Sequence, residues 1–204
     1  MIRAALRAAT VGVVALTLSG CISLLPKSKP AQLYRFGQPA AAAAPGPLQG
    51  TVGVFQANGV FPGEAAGDRI LTITGGKAAY IARSRWVAPA GVLFNEAVTA
   101  AFDADPGRVR LISRGQQARS DYALRLDVRN FEARYDAGPH NAPTVVVRVR
   151  AVMTKADLSK TAEHVFEAKA QASDNRVGEI VTAYDKAVAD VLGQVVTWTN
   201  DSAT

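Results

Sequence analysis

The sequence predicts an α+β fold: a single domain with a mostly antiparallel sheet covered by two helices, in the order ββββ-α-ββββ-α. Three observations carry that prediction. Apolar and polar residues alternate over residues 120–135, 144–155 and 161–172, the two-residue period of strands with one buried face. Apolar residues recur at three- and four-residue spacing over residues 176–199, the period of a helix with one buried side. With 49% hydrophobic and 20% charged residues in a chain of 204, the composition suits one sizeable core and excludes wholesale disorder.

The elements follow in chain order. Residues 32–36 and 51–57 read as short strands. Between them the loop GQPAAAAAPGPLQG holds five alanines bounded by Pro39 and Pro45, too short a run to sustain a helix alone. Strands over 69–74 and 77–82 are joined by Gly75-Gly76, a hairpin signal because glycine accepts the positive φ such turns require. Pro89 suits a first helical turn, and the helix runs to about Phe102 with Val92, Leu93, Glu96, Ala97 and Ala100 along one side. Asp105-Pro106-Gly107 ends it, and residues 108–113 form a strand. The long strand over 120–135 buries Tyr122, Leu124, Leu126 and Val128; Phe131 then falls on the other parity, which predicts a bulge near Asn130. The next two strands of the meander direct Val145, Val147, Val149, Ala151 and Met153, then Ala162, His164, Phe166, Ala168 and Ala170, inward. The last helix carries Val177, Ile180, Val181, Tyr184, Val188, Val191, Leu192 and Val195 on its apolar side, with Asp174 or Asn175 as its cap.

The front of the chain has a different character. Arg3 and Arg7 precede an apolar run over residues 8–18, and no acidic residue occurs before Glu64. Eleven residues span roughly 17 Å as a helix, against about 30 Å of bilayer hydrocarbon. The run is therefore an export signal rather than a membrane span. Leu18, Ser19 and Gly20 lead into Cys21, the sole cysteine, and resemble the lipobox of bacterial lipoproteins. That resemblance implies a signal peptide over 1–20, cut before Cys21, with diacylglycerol on the thiol and an N-acyl chain of palmitate type on the new amino group. Residues 21–31 are then a lipidated tether and 32–200 the folded domain. Ile22, where Asp commonly signals inner-membrane retention, implies the outer membrane, with the domain facing the periplasm.

Composition excludes several chemistries. One cysteine and two histidines leave no disulfide framework and little metal-ligating material, so no metal or other cofactor is expected beyond the acyl groups. Loss of residues 1–20 removes two arginines and no acid, lowering the formal charge from +6 to +4. Such a modest excess reads as a solvated, mildly basic surface rather than a nucleic-acid binder. His140 lies in a loop and His164 at an inward strand position, where a hydrogen-bonded core residue is the ordinary case. No GxSxG turn presents a nucleophile: Ser84, Ser113 and Ser120 fall in strands or loops. Gly75-Gly76-Lys77 opens a strand, not the helix that a phosphate loop requires. No catalytic residue is expected, and the chain is read as a non-enzyme.

Two surfaces stand out. Tyr80, Arg83, Arg85 and Trp86 lie directly before the Pro89 helix and form a candidate partner-binding segment, since Trp and Arg are favoured interface anchors; the alternative places Trp86 in the core at the strand–helix corner. Arg125, Arg129, Arg148 and Arg150, with Asp127 among them, share outward parity on neighbouring strands and read as a solvated, cross-paired sheet face.

Several of these segments together resemble the ABC-type transport auxiliary lipoprotein family, which includes lipoproteins of the paraquat-inducible protein C type. They are the lipobox cysteine, the first strand Leu33-Tyr34-Arg35-Phe36, the stretch Ala79-Tyr80-Ile81-Ala82 with Arg85-Trp86-Val87-Ala88-Pro89, and the strand start Tyr122-Ala123-Leu124. The resemblance spans the mature chain. It implies an accessory protein, associated with an ATP-binding cassette pump and a periplasmic MCE-type component in lipid transport between inner and outer membrane. The residues themselves leave open a lipid-carrying envelope protein and a structural outer-membrane lipoprotein without a transport partner. They also leave open a homo-oligomer.

Overall fold

The computed structural model describes residues 30–37 and 50–203; Cys21, its lipobox and most of the tether lie outside them. Eight strands form: β1 (Gln32–Tyr34), β2 (Val52–Gln56), β3 (Arg69–Thr74), β4 (Lys77–Trp86), β5 (Val109–Ile112), β6 (Tyr122–Arg134), β7 (Thr144–Lys155) and β8 (Thr161–Gln171). Between them lie the one-turn helix α1 (Gly63–Ala66) and the helix α2 (Ala90–Ala104), and the chain closes with α3 (Val177–Ser202). The two longer helices and the four-plus-four strand order match the sequence reading; α1 does not appear in it.

β6 is the spine of a single mixed sheet. One of its edges pairs along its length with antiparallel β7, which in turn pairs with antiparallel β8. Its other edge is shared. The first residues take parallel β2, with Val54 beside Tyr122, and the last take parallel β3, with Thr72 beside Ala133. β2 continues to parallel β5, and β3 to antiparallel β4 and then parallel β1. The expectation of a mostly antiparallel sheet holds in part: the three antiparallel pairings are the longest, but the sheet is mixed, with four shorter parallel pairings among the seven. Alternation in a sequence reports which face is buried, whereas strand direction is set by the connections. Only the tight hairpins between consecutive strands were legible.

The core lies between this sheet and the helices: α3 packs on β7 and β8, and α2 on β5 and α3. Phe36, Trp86, Phe131 and Tyr184 meet at its centre, with ring centroids 4.9 Å apart for Phe36–Trp86 and for Phe131–Tyr184, and 5.2 Å for Trp86–Tyr184. The Tyr184 hydroxyl donates to the Leu71 carbonyl at 3.3 Å, which satisfies a polar group that burial would otherwise penalise. The predicted bulge is present between Val128 and Asn130, and Phe131 is buried as the parity slip required.

Three local expectations are corrected. On α2 the buried side is Ala90, Leu93, Phe94, Ala97, Val98 and Phe102, while Val92 is 47% exposed. The helix is apolar nearly all round, so its periodicity admitted more than one face. His164 keeps the inward parity but is exposed, because the cover reaches only Phe166, Ala168 and Ala170; its ring lies 4.6 Å from that of Phe166. Neither Asp174 nor Asn175 caps α3, whose first flanking residue is Arg176 without a side-chain cap bond. Asn175 instead accepts from the Tyr135 hydroxyl at 2.8 Å and donates to the Pro139 carbonyl at 3.1 Å, tying the β6–β7 loop to the helix start.

Gly75 and Gly76 have φ of 53° and 79°, the doubly positive pattern of a primed hairpin turn. Nothing lies within 4 Å of a Cβ at either, so a substitution there meets only backbone strain. Gly76→Ala is expected to cost about 1 kcal/mol in urea unfolding; an unchanged midpoint counts against this assignment of the turn.

Candidate interaction surface

The segment singled out from the sequence sits in an irregular strand. Arg69 pairs with Arg85 and Leu71 with Tyr80, so Ile70 alone faces residues 81–84 of β4. Inside that bulge Arg83 adopts a φ of 55°, uncommon for a residue with a side chain. The bulge separates the four residues. Trp86 turns inward to 2% exposure in the aromatic core and offers no surface to a partner, as the core alternative anticipated. Tyr80 is half-buried, donating its hydroxyl to the Glu64 carbonyl at 3.0 Å, with the Arg69 guanidinium 3.8 Å above its ring. Arg85 reaches both oxygens of Asp68, at 2.7 and 2.9 Å; both side chains are well exposed, which limits such a pair to under about 1 kcal/mol. Arg83 is exposed too, with no carboxylate within ion-pair distance among the described residues.

The sheet face away from the helices carries the denser chemistry. Asp127 lies at an outward position of β6 yet is 1% exposed. Two things cover it. The segment joining β2 to α1 crosses beside β6: the Ala57 amide donates to the Leu124 carbonyl, and the Val128 amide to the Val60 carbonyl. The Val60 amide closes the crossing by donating to Asp127 Oδ1 at 3.0 Å. Around the carboxylate stand Arg125 at 2.8 Å, Arg150 at 3.6 Å and Arg129 at 3.9 Å. Burial pushes the Asp127 carboxyl up, but the hydrogen bonds from Arg125 and Val60 and the charges of Arg125 and Arg129 hold it below the usual carboxylate range.

The array extends across β7 and β8. Arg150 donates through Nε and Nη2 to the two oxygens of Glu163, at 2.5 and 2.6 Å, a forked geometry that lowers the Glu163 pKa. Glu167 is lowered by Lys169 at 2.8 Å, with Arg148 farther off at 3.9 Å. The four arginines therefore do share one face, as their parity predicted. What sequence reasoning missed is that Asp127 is no solvated member of that face. Its partner segment lies 67 residues away, and the only local signal was a carboxylate flanked by arginines.

Two hollows lie elsewhere. One, of about 60 Å³, touches Val60, Phe61, Phe94 and Arg114, and is far smaller than ordinary ligand pockets. The other is an open depression of about 520 Å³ beside Asp105, Arg108 and Asn200. There Asn200 donates to Asp105 at 2.8 Å and accepts from the Val109 amide at 3.1 Å, a polar tie between the end of α2, β5 and the end of α3. Among the described residues no group of three or more His, Cys, Asp or Glu is placed to hold a metal ion, and no helix is long and apolar enough to cross a membrane.

These features define an α+β domain: an open mixed sheet, helices on one face, and a polar opposite face organised by ion pairs. The chain belongs to the ABC-type transport auxiliary lipoprotein component family, whose sequence model matches residues 34–196. Crystal structures that share its fold include the following two. A Xanthomonas campestris protein of family DUF330 superposes with a TM-score of 0.67 at 20% identity, over 83% of this chain and 95% of its own. An uncharacterized protein gives 0.64 at 15% identity, over 84% and 99%. Among curated proteins no sequence match is found.

Proposed function

We propose that the chain is a non-catalytic, lipid-anchored accessory protein that faces the periplasm from the outer membrane and assists an ATP-driven, MCE-type system in moving lipid between the membranes. The observation that carries this reading is the family match over nearly the whole folded domain, joined to the lipobox that ends in Cys21. Acyl chains on Cys21 fix one end, at about 0.8 kcal/mol per buried methylene, and two or more give stable anchoring. The tether of residues 22–31 spans at most about 33 Å, so the domain works close to its own membrane. ATP is consumed by another subunit, and the role of this chain is mechanical.

The test is crosslinking in intact cells, followed by affinity purification of the lipidated protein and mass spectrometry of what accompanies it. A permease, an ATPase and an MCE-type protein are expected among the partners. Recovery of cell-wall or outer-membrane assembly proteins alone would replace this reading with a structural one.

A further inference from the structure

The formal charge of the chain, +6 before processing, hides a separation that only the fold reveals. The eight strands carry twelve Lys and Arg against four acidic residues, a formal +8. Helices α2 and α3 carry six acidic residues against one lysine, a formal −5. The helices cover the inner face of the sheet, and the outer face of β6, β7 and β8 carries six Lys and Arg against four acidic residues, a formal +2. Glu96, Asp103, Asp190 and Asp201 are exposed on the helical layer. The outer sheet face is mildly basic and the helical layer acidic.

The arginines of the outer face are not all committed. Arg125 and Arg150 are held by short hydrogen bonds. Arg129 and Arg148, neighbours at the bulge where Asn130 pairs with Arg148, meet their carboxylates only at 3.9 Å. Their side chains are 52% and 50% exposed. At the far end of the sheet Lys77 and Arg83 are exposed without a carboxylate in reach among the described residues. The chain enters the domain there, since β1 pairs with β4. From Cys21 to Gly63 it carries Lys27, Lys29 and Arg35 and no acid.

We propose that the outer face of the sheet, centred on Arg129 and Arg148, lies against anionic lipid headgroups and holds the domain flat on the membrane to which it is tethered. The orientation follows from screening. An anionic leaflet acts over a Debye length of about 8 Å, and the helical layer lies a helix diameter of 10–12 Å beyond the sheet. The membrane therefore attracts the basic sheet face while the acids opposite are screened. The short tether favours a lipid surface over a distant acidic protein. Identifying that membrane rests on the lipid-anchor reading of Cys21; the basic face does not.

The experiment uses the mature lipidated protein, reconstituted on vesicles of phosphatidylcholine alone or of phosphatidylcholine with phosphatidylglycerol. Phenylglyoxal modification of each arginine is followed by mass spectrometry. Arg129 and Arg148 are expected to react roughly fivefold more slowly on the anionic vesicles, with the difference abolished by high salt. Arg176, at the start of α3 and 75% exposed, is the internal control and should react equally on both. Equal rates for Arg129 and Arg148 on the two lipids overturn the proposal, as does slowing that arises only when an acidic protein partner is added. Flotation with pure phosphatidylcholine vesicles reports the acyl anchor separately, so loss of the anchor and loss of face docking are distinguishable.

Discussion

Asp127→Ala is expected to lower the stability of the domain by about 2–3 kcal/mol, more than any exposed ion pair of the molecule contributes. The magnitude follows from what the carboxylate does. It is itself buried, and its hydrogen bonds from the Val60 amide and Arg125 are charge-assisted, a class worth about 1.5–3 kcal/mol when broken. The arginines around it keep 33–52% of their side-chain surface in water. Their separate losses are screened, and the larger penalty of a stranded buried charge does not apply. Most of the cost lies in releasing the segment around Val60 from β6. Gly59→Ala tests the same seat without touching a charge, because a Cβ there would lie 1.8 Å from the Leu126 carbonyl oxygen. Both variants should lose hydrogen-exchange protection at the Val60 and Val128 amides. Unchanged protection in both removes the segment from the account.

The same carboxylate sets an acid limit. Its folded pKa is lowered, so its contribution to stability is complete above the unfolded value of about 3.9 and is lost as pH falls below that towards the folded value. Asp127→Asn retains an acceptor for Val60 but no titration. Its unfolding free energy should therefore vary less with pH below about 4 than that of the parent. Parallel pH profiles for the two proteins would falsify the assignment.

How much of this was legible in the sequence depends on the range of the interaction. The meander of β6, β7 and β8, the bulge at Asn130 and the glycine hairpin are encoded in neighbouring residues, and each emerged where the pattern placed it. The parallel neighbours of β6 were hidden, because nothing in residues 52–56 or 69–74 states which edge they join. Burial of Asp127 was hidden for the same reason: it is created by a segment remote in the chain. The charge separation was invisible to composition, since a net charge cannot report that strands and helices of opposite sign face opposite ways. Trp86 shows the converse. Its surroundings of arginines suggested a surface, but three extra residues in β4 rotate the tryptophan into the core and leave Arg83 and Arg85 at the surface.

Cys21→Ala is expected to release nearly all of the protein from the membrane at high salt while leaving its thermal midpoint unchanged. Acyl and electrostatic attachment differ in strength. A single acyl chain already binds marginally, and two or more give anchoring that salt does not disturb. The basic face of the sheet contributes an electrostatic attraction that fades within a Debye length of about 8 Å at physiological ionic strength and about 3 Å at 1 M salt. Without acyl chains, and with its signal peptide removed at another site or replaced by an ordinary export signal, the domain has only that attraction to hold it. Fractionation of the variant at low and high salt separates the two contributions. Partial retention at low salt, lost at high salt, is the result expected if the arginine face touches lipid while the thiol carries the anchor. Full retention at high salt means that the domain is held by something other than Cys21, and the lipid-anchor reading falls with it. The midpoint serves as the control, because residues 34–196 hold the family match and the buried core of the described residues is built from Phe36 onward.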